Sequence, residues 1–159
     1  MHRLVLELAA YEREPDSVEA TEADLAAALF CADPKVHALV GEVDVDGRTE
    51  IGAVAVWFVT YSTWRGRHGI WLEDLFVSPT HRRLGLGRAL LASLAGTCVA
   101  RGWGRLEWAV LDWNEPARAF YGALGATAQD EWTTWRLHGP ALEALVDQAS
   151  KATATNVAI

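Results

Sequence analysis

Cysteine is scarce in this chain of 159 residues: there are two, Cys31 and Cys98. Their separation matches no metal-ligand spacing, so a cysteine-held metal is not expected. No metal of any other kind is implied either. No apolar run is long enough for a bilayer, and no signal-peptide pattern opens the chain, so a cytoplasmic protein without a membrane partner is expected. Positive charge is in the minority, with 14 Lys and Arg against 21 Asp and Glu and a net charge of −7. That balance argues against general nucleic-acid binding and favours cationic substrates. His37, His68, His81 and His138 are scattered, with no metal-like or triad-like partner nearby in sequence. There are no internal repeats and no low-complexity tracts.

What is present fits a globular protein. Hydrophobic residues make up 51% and charged residues 22% of the chain. The length suffices for one domain with a core and is short for two. Residues 1–149 are expected to form that domain, and 150–159, small and polar without periodicity, a disordered tail. Eight tryptophans are many for this size and suit packing or an aromatic-lined cleft.

The densest signal is WLEDLFVSPTHRRLGLGRALLASLAGTCVAR, residues 71–101. It begins as a strand, Ile70 to Val77, interrupted by the adjacent carboxylates Glu73 and Asp74. Ser78-Pro79 ends the strand, because proline cannot donate to a ladder. The run Arg82, Arg83, Leu84, Gly85, Leu86, Gly87, Arg88 follows, directly before a helical pattern. Glycines expose backbone N–H groups, a helix N-terminus adds partial positive charge, and three arginines add full charges. The combination suits a phosphate or pyrophosphate. It is neither a dinucleotide fingerprint, which needs a third glycine, nor a P-loop, which needs G-K-[ST].

In chain order, helical spacing predicts a helix over His2 to Glu14 and a second from the capping box at Thr21–Asp24 to Phe30. Strands are expected over His37 to Val43 and Ile51 to Tyr61, joined by a turn at Asp46-Gly47. After Ile70–Val77 comes a helix with Leu90, Leu91, Leu94 and Cys98 on one side, closed by Gly102. Arg105 to Leu111 reads as a strand. Asp112-Trp113-Asn114-Glu115-Pro116 turns into a helix reaching about Leu124. Glu131 to Leu137 reads as a last strand, and Ala141 to Ala149 as a last helix. The pattern is an α/β (α+β) single domain with a mixed sheet.

Taken together, LEDLFV, RRLGLG, LDWNEP and AFYGALGA resemble the GNAT superfamily of acetyltransferases, and within it the spermidine/spermine (diamine) acetyltransferase branch. The resemblance spans Leu4 to about Leu137. It implies a mostly antiparallel sheet flanked by helices, acetyl-CoA as co-substrate, a small cationic amine as acceptor, and a homodimer. Two features depart from the branch. Its members begin with a strand before the first helix, whereas this chain begins at the helix. Either the start lies upstream, or the sheet lacks that strand, or another chain supplies it. Arg83 also stands where the diamine enzymes often have glycine.

The resemblance further implies roles. Two neighbouring strand residues point to opposite faces, but family members carry a bulge here, and both Glu73 and Asp74 then line the amine site. Glu73 would take the ammonium proton, through a water. Backbone N–H near Phe76–Val77, freed by the bulge, would hold the developing oxyanion. Tyr121 would protonate the leaving thiolate and contact the cofactor. Leu75, Phe76 and Val77 would pair with the pantetheine arm, residues Arg82 to Arg88 would cradle the pyrophosphate, and Asn114 would touch CoA as well as capping its helix. Tyr11, Glu12, Glu107, Trp108 and Glu131 would join Glu73 and Asp74 around the amine, as carboxylates and aromatics suit a long cation. Two other readings stay open: an acetyltransferase of protein or peptide amines, and a non-catalytic acyl-CoA-binding module.

Overall fold

A computed structural model describes residues 1–151, in two compact units, the first ending at Leu111 and the second starting at Asp112. The first unit opens with helix α1, His2–Tyr11, and helix α2, Glu22–Phe30. The capping box opens α2 as the sequence predicts. The Asp24 amide donates to Thr21 Oγ1 at 3.2 Å, and the Thr21 amide donates back to the Asp24 carboxylate at 2.9 Å. Strands β1, His37–Val45, and β2, Arg48–Ser62, follow. Asp46 and Gly47 both take positive φ, as a two-residue hairpin twisted with its strands requires. Strand β3, Arg67–Val77, leads through a single 310 turn, Pro79–His81, to helix α3, Leu86–Ala100. Strand β4, Leu106–Trp108, closes the unit.

The sheet order is β1-β2-β3-β4, antiparallel up to β3 and parallel between β3 and β4. This is the mixed, mostly antiparallel α/β arrangement the sequence predicts, and among the described residues α1 is the first element. Strand β2 is buried without interruption from Gly52 to Trp57, which explains its nearly continuous apolar run. One face packs on α1 through a core of Leu4, Val54, Val56 and Phe76, with Leu8 and Tyr11 at its margin. The other face is covered by α3, whose Leu90, Leu91, Leu94 and Cys98 are buried as their helical spacing requires.

Strand β4 is shorter than Arg105–Leu111, the strand the sequence predicts. It pairs only with Ile70, Trp71 and Leu72 and then leaves the ladder. Helix α1 also stops earlier than Glu14, since Arg13 has a φ of 68° that a helix cannot propagate.

The second unit holds helix α4, Glu115–Gly122, and helix α5, Pro140–Lys151. Asn114 caps α4, accepting from the Ala117 amide at 3.3 Å, and Pro116 sits in the first turn, where a missing N–H costs little. The strand predicted over Glu131–Leu137 is not formed. The segment is irregular, with Trp132 73% and Trp135 91% exposed. Its tryptophans and threonines favour a strand, but that preference acts only through neighbouring strands, and the segment pairs with none among the described residues. Ser150 and Lys151 belong to α5 rather than to a tail; the rest of the predicted tail lies outside the described residues. Among the described residues no helix is long and apolar enough to cross a membrane.

Candidate active site

The site is built on β3. Val56 of β2 opposes Asp74, while the next residue, Trp57, opposes Leu72, so Glu73 is an extra residue without a partner. This β-bulge resets the alternation of β3. Leu72 faces α3 with Trp57, and two residues later Asp74 shares the α1 face with Val56 and Phe76. Glu73 is exposed, and one of its oxygens accepts a hydrogen bond from Trp71 Nε1 at 2.8 Å. Trp71 was not singled out by sequence reasoning. The signal was there, since residues two apart on a strand share a face.

Asp74 is half-buried, and its pKa is pushed up to about 6. Burial is the largest cause, and the charges of Glu73 and then Glu12 add to it. Glu12, just past the end of α1, is itself pushed above its ordinary value by partial burial. The charges of Glu73 and Glu12 thus act on Asp74, with Tyr11 next to Glu12 at the end of α1. Glu107 lies opposite Trp71 and so shares that face, but its carboxylate is paired with Arg105 Nε at 2.5 Å. Trp108, one residue on, pairs with Leu72 and points to the other face. Among the described residues no three His, Cys, Asp or Glu side chains are grouped so as to hold a metal ion.

Past Leu72 the outer edge of β3 has no strand beside it among the described residues, because β4 has already departed. Glu73 to Val77 therefore keep β2 on one side and present main-chain groups on the other. The strand end is held firmly: the Ser78 amide donates to the Gly52 carbonyl at 2.9 Å. The His81 ring packs over Gly52, where a Cβ would lie 2.9 Å from the ring.

The loop that follows carries the basic charge. Arg83 has a φ of 67° and Gly85 a φ of 81°, and Gly85 is the N-cap of α3 with no side-chain cap. A Cβ at Gly85 would meet nothing within 4 Å, so the glycine is needed for its backbone angle rather than for room. The first N–H groups of α3 thus open on an exposed loop. Among the described residues neither Arg83 nor Arg88 is ion-paired. Arg82 is placed differently: its guanidinium lies 5.1 Å from the Tyr11 ring centre and 5.9 Å from that of Phe76. Its Nε donates to the Val77 carbonyl at 3.2 Å.

The remaining candidates belong to the second unit. Asn114 is buried as the cap of α4. Tyr121 is half-buried near the end of α4, its ring 5.4 Å from that of Phe120 and its carbonyl accepting from the Ala126 amide at 3.2 Å. Glu131 is exposed in the irregular segment rather than on a strand.

The first unit thus offers three things along and just beyond β3: neighbouring carboxylates, an open main-chain edge and an uncapped helix N-terminus flanked by arginines. The first suits a cation, the second an extended amide-bearing chain, the third a polyphosphate. Comparison with known proteins gives the family. Residues 3–126 match the sequence model of the acetyltransferase (GNAT) family. Over 151 residues the chain is 37% identical to the thialysine N-epsilon-acetyltransferase of Bos taurus, covering 90% of this chain and 88% of that one. It is 30% identical over 154 residues to the human spermidine/spermine N(1)-acetyltransferase-like protein 1, covering 92% of this chain but 21% of that much longer one. Among solved structures, an integron cassette protein from the mobile metagenome of V. cholerae superposes with a TM-score of 0.72 at 28% identity, over 89% of this chain and 86% of that one.

Proposed function

We propose that this chain, which belongs to the GNAT family of acetyltransferases, moves an acetyl group from acetyl-CoA to a primary amine on a small cation: a diamine, a polyamine or a lysine-like amine. The observation that carries the reading is the bulge at Glu73. It brings Asp74 to the α1 face, where the charges of Glu73 and Glu12 act on it, on a strand whose outer edge is open beyond the end of the β4 pairing.

A lysine-type amine has a pKa near 10.4, so at neutral pH it arrives as an ammonium ion and cannot attack. Asp74 and Glu12 hold that cation. Glu73, exposed and oriented by Trp71 Nε1, takes its proton through a water. Acetyl-CoA, when bound, would supply the thioester carbonyl that the amine attacks. The residues present fit it: main chain at Leu75, Phe76 and Val77 can pair with the pantetheine amides. The N–H groups from Leu84 to Gly87, with Arg83 and Arg88, would hold the pyrophosphate, and the resemblance assigns a further contact to Asn114. Backbone N–H at Phe76–Val77 would steady the carbonyl oxygen, and the resemblance assigns to Tyr121 the return of a proton to the departing sulfur. The enzyme works as a homodimer in this reading, which size-exclusion chromatography with light scattering tests.

Thiol release from acetyl-CoA, measured against thialysine, lysine, ornithine, putrescine, spermidine and a basic peptide, tests the whole. Turnover of the small amines is expected, with lysine-like amines first, a reading supported by the 37% identity to a thialysine N-epsilon-acetyltransferase. Turnover of the peptide alone would sink the small-amine reading. CoA binding without turnover of any amine would replace it with a non-catalytic acyl-CoA module.

A further inference from the structure

We propose that Arg82 is a positioning residue that ties the start of the basic loop to the end of α1, and so sets the amine end of the site rather than gripping the cofactor. The inference rests on the reading of the two substrate regions given above.

Helix α1 has one fully buried anchor, Leu4, near its start. Its last turn carries Tyr11 at the margin of the core, and Glu12 comes immediately after. Leu8 and Tyr11 pack that last turn against the core margin, and Arg82 adds a contact to it from just beyond the end of β3. Its guanidinium faces the rings of Tyr11 and Phe76, at 5.1 and 5.9 Å, and its Nε is bonded to the Val77 carbonyl. One planar group thus joins the end of α1, the α1 face of β3 and the main chain where β3 ends. A guanidinium suits this task because it bonds in its plane and stacks through its faces. Glu12, one residue from Tyr11, is close enough to Asp74 to act on its charge. Any shift of the α1 terminus therefore changes the field around the amine. The cofactor loop keeps its own anion donors without Arg82, namely the uncapped N–H groups of α3 with Arg83 and Arg88.

Kinetics of Arg82→Gln, Arg82→Lys and Arg83→Gln, each against acetyl-CoA and the best amine, test the idea. Arg82→Gln is expected to raise the amine KM roughly fivefold, the scale of one exposed cation–π contact, with the acetyl-CoA KM moving less than about twofold. Arg83→Gln should do the opposite. Arg82→Lys should recover part of the amine KM, since an ammonium keeps the ring contact but not the fork. A rise in acetyl-CoA KM as large as that in amine KM for Arg82→Gln would overturn the proposal. A thermal-unfolding cycle with Tyr11→Leu needs no turnover: the double variant should lose less Tm than the two single losses added. Additive losses would refute the tie itself. A wild-type protein that turns over no amine while the cycle still shows coupling would mark the failure of the proposed function, not of the tie.

Discussion

Asp74→Asn is expected to make the protein more stable near neutral pH and worse at binding its amine. The stability effect follows from burial. In the folded chain the Asp74 carboxyl titrates at about 6 against an ordinary value of 3.8. Below the ordinary value it is protonated in both folded and unfolded chains and makes no difference. Between the two values the folded chain keeps a proton that the unfolded chain releases, so stability falls as pH rises. Above about 6 the carboxylate is ionised in both, and the loss is complete. About two pH units at about 1.4 kcal/mol each set a ceiling of about 3 kcal/mol on that loss. Asp74 retains some solvent, which reduces the figure to roughly 1–2 kcal/mol. Asparagine removes the charge and most of the cost. Urea unfolding of the wild type and the variant at pH 4 and pH 7.5 measures it. The gain should be larger at pH 7.5, where the amine KM should also rise while that for acetyl-CoA holds. A gain equal at both pH values, or a loss at pH 7.5, would refute the account of Asp74 as a charge held out of water at a cost.

Glu73→Gln keeps the shape of the bulge and removes the base, so kcat should fall by about 10²-fold or more, with CoA affinity by calorimetry unchanged; a parallel loss of CoA affinity would contradict the separation of roles. Tyr121→Phe should lower kcat without moving the amine KM, and full activity would remove its role as acid. Gly69→Ala would place a Cβ 2.8 Å from the Arg105 carbonyl, in the crossing that starts the β3–β4 pairing. It should cost roughly 1–3 kcal/mol, as overpacking does, read as a lowered urea midpoint.

Most of the frame was legible because it is set by local rules. The Asp46-Gly47 hairpin, the Thr21–Asp24 capping box and the buried stripe of α3 each need only a few neighbouring residues, and each is present. The strand at Glu131–Leu137 failed because pairing is not local: composition says what would fit a sheet, not whether an edge is offered. The overlong β4 failed for the same reason, since Ala109 to Leu111 are apolar enough to continue but leave β3. Within the site, the sequence places Glu73 and Asp74 side by side but not the register slip between Leu72 and Asp74; that expectation came from the likeness to the family. The turn of Arg82 away from the loop could not be read at all, because it depends on Tyr11, some 70 positions earlier in the chain.

The extra residue in β3 also bears on how such a chain can change over generations. In the proposed reading, one substrate is recognised by side chains and the other by main chain, along the same few residues. Substitutions at Glu12, Asp74 or Glu107 can redraw which cation is preferred while the main-chain contacts to the donor go on unaltered. Loss of a single residue between Leu72 and Asp74 is another matter. It would restore an even ladder with Asp74 still opposite Val56, but the residue removed is Glu73 itself, and with it the proposed base. Acceptor preference is therefore open to drift by point mutation, whereas the length of this strand is not.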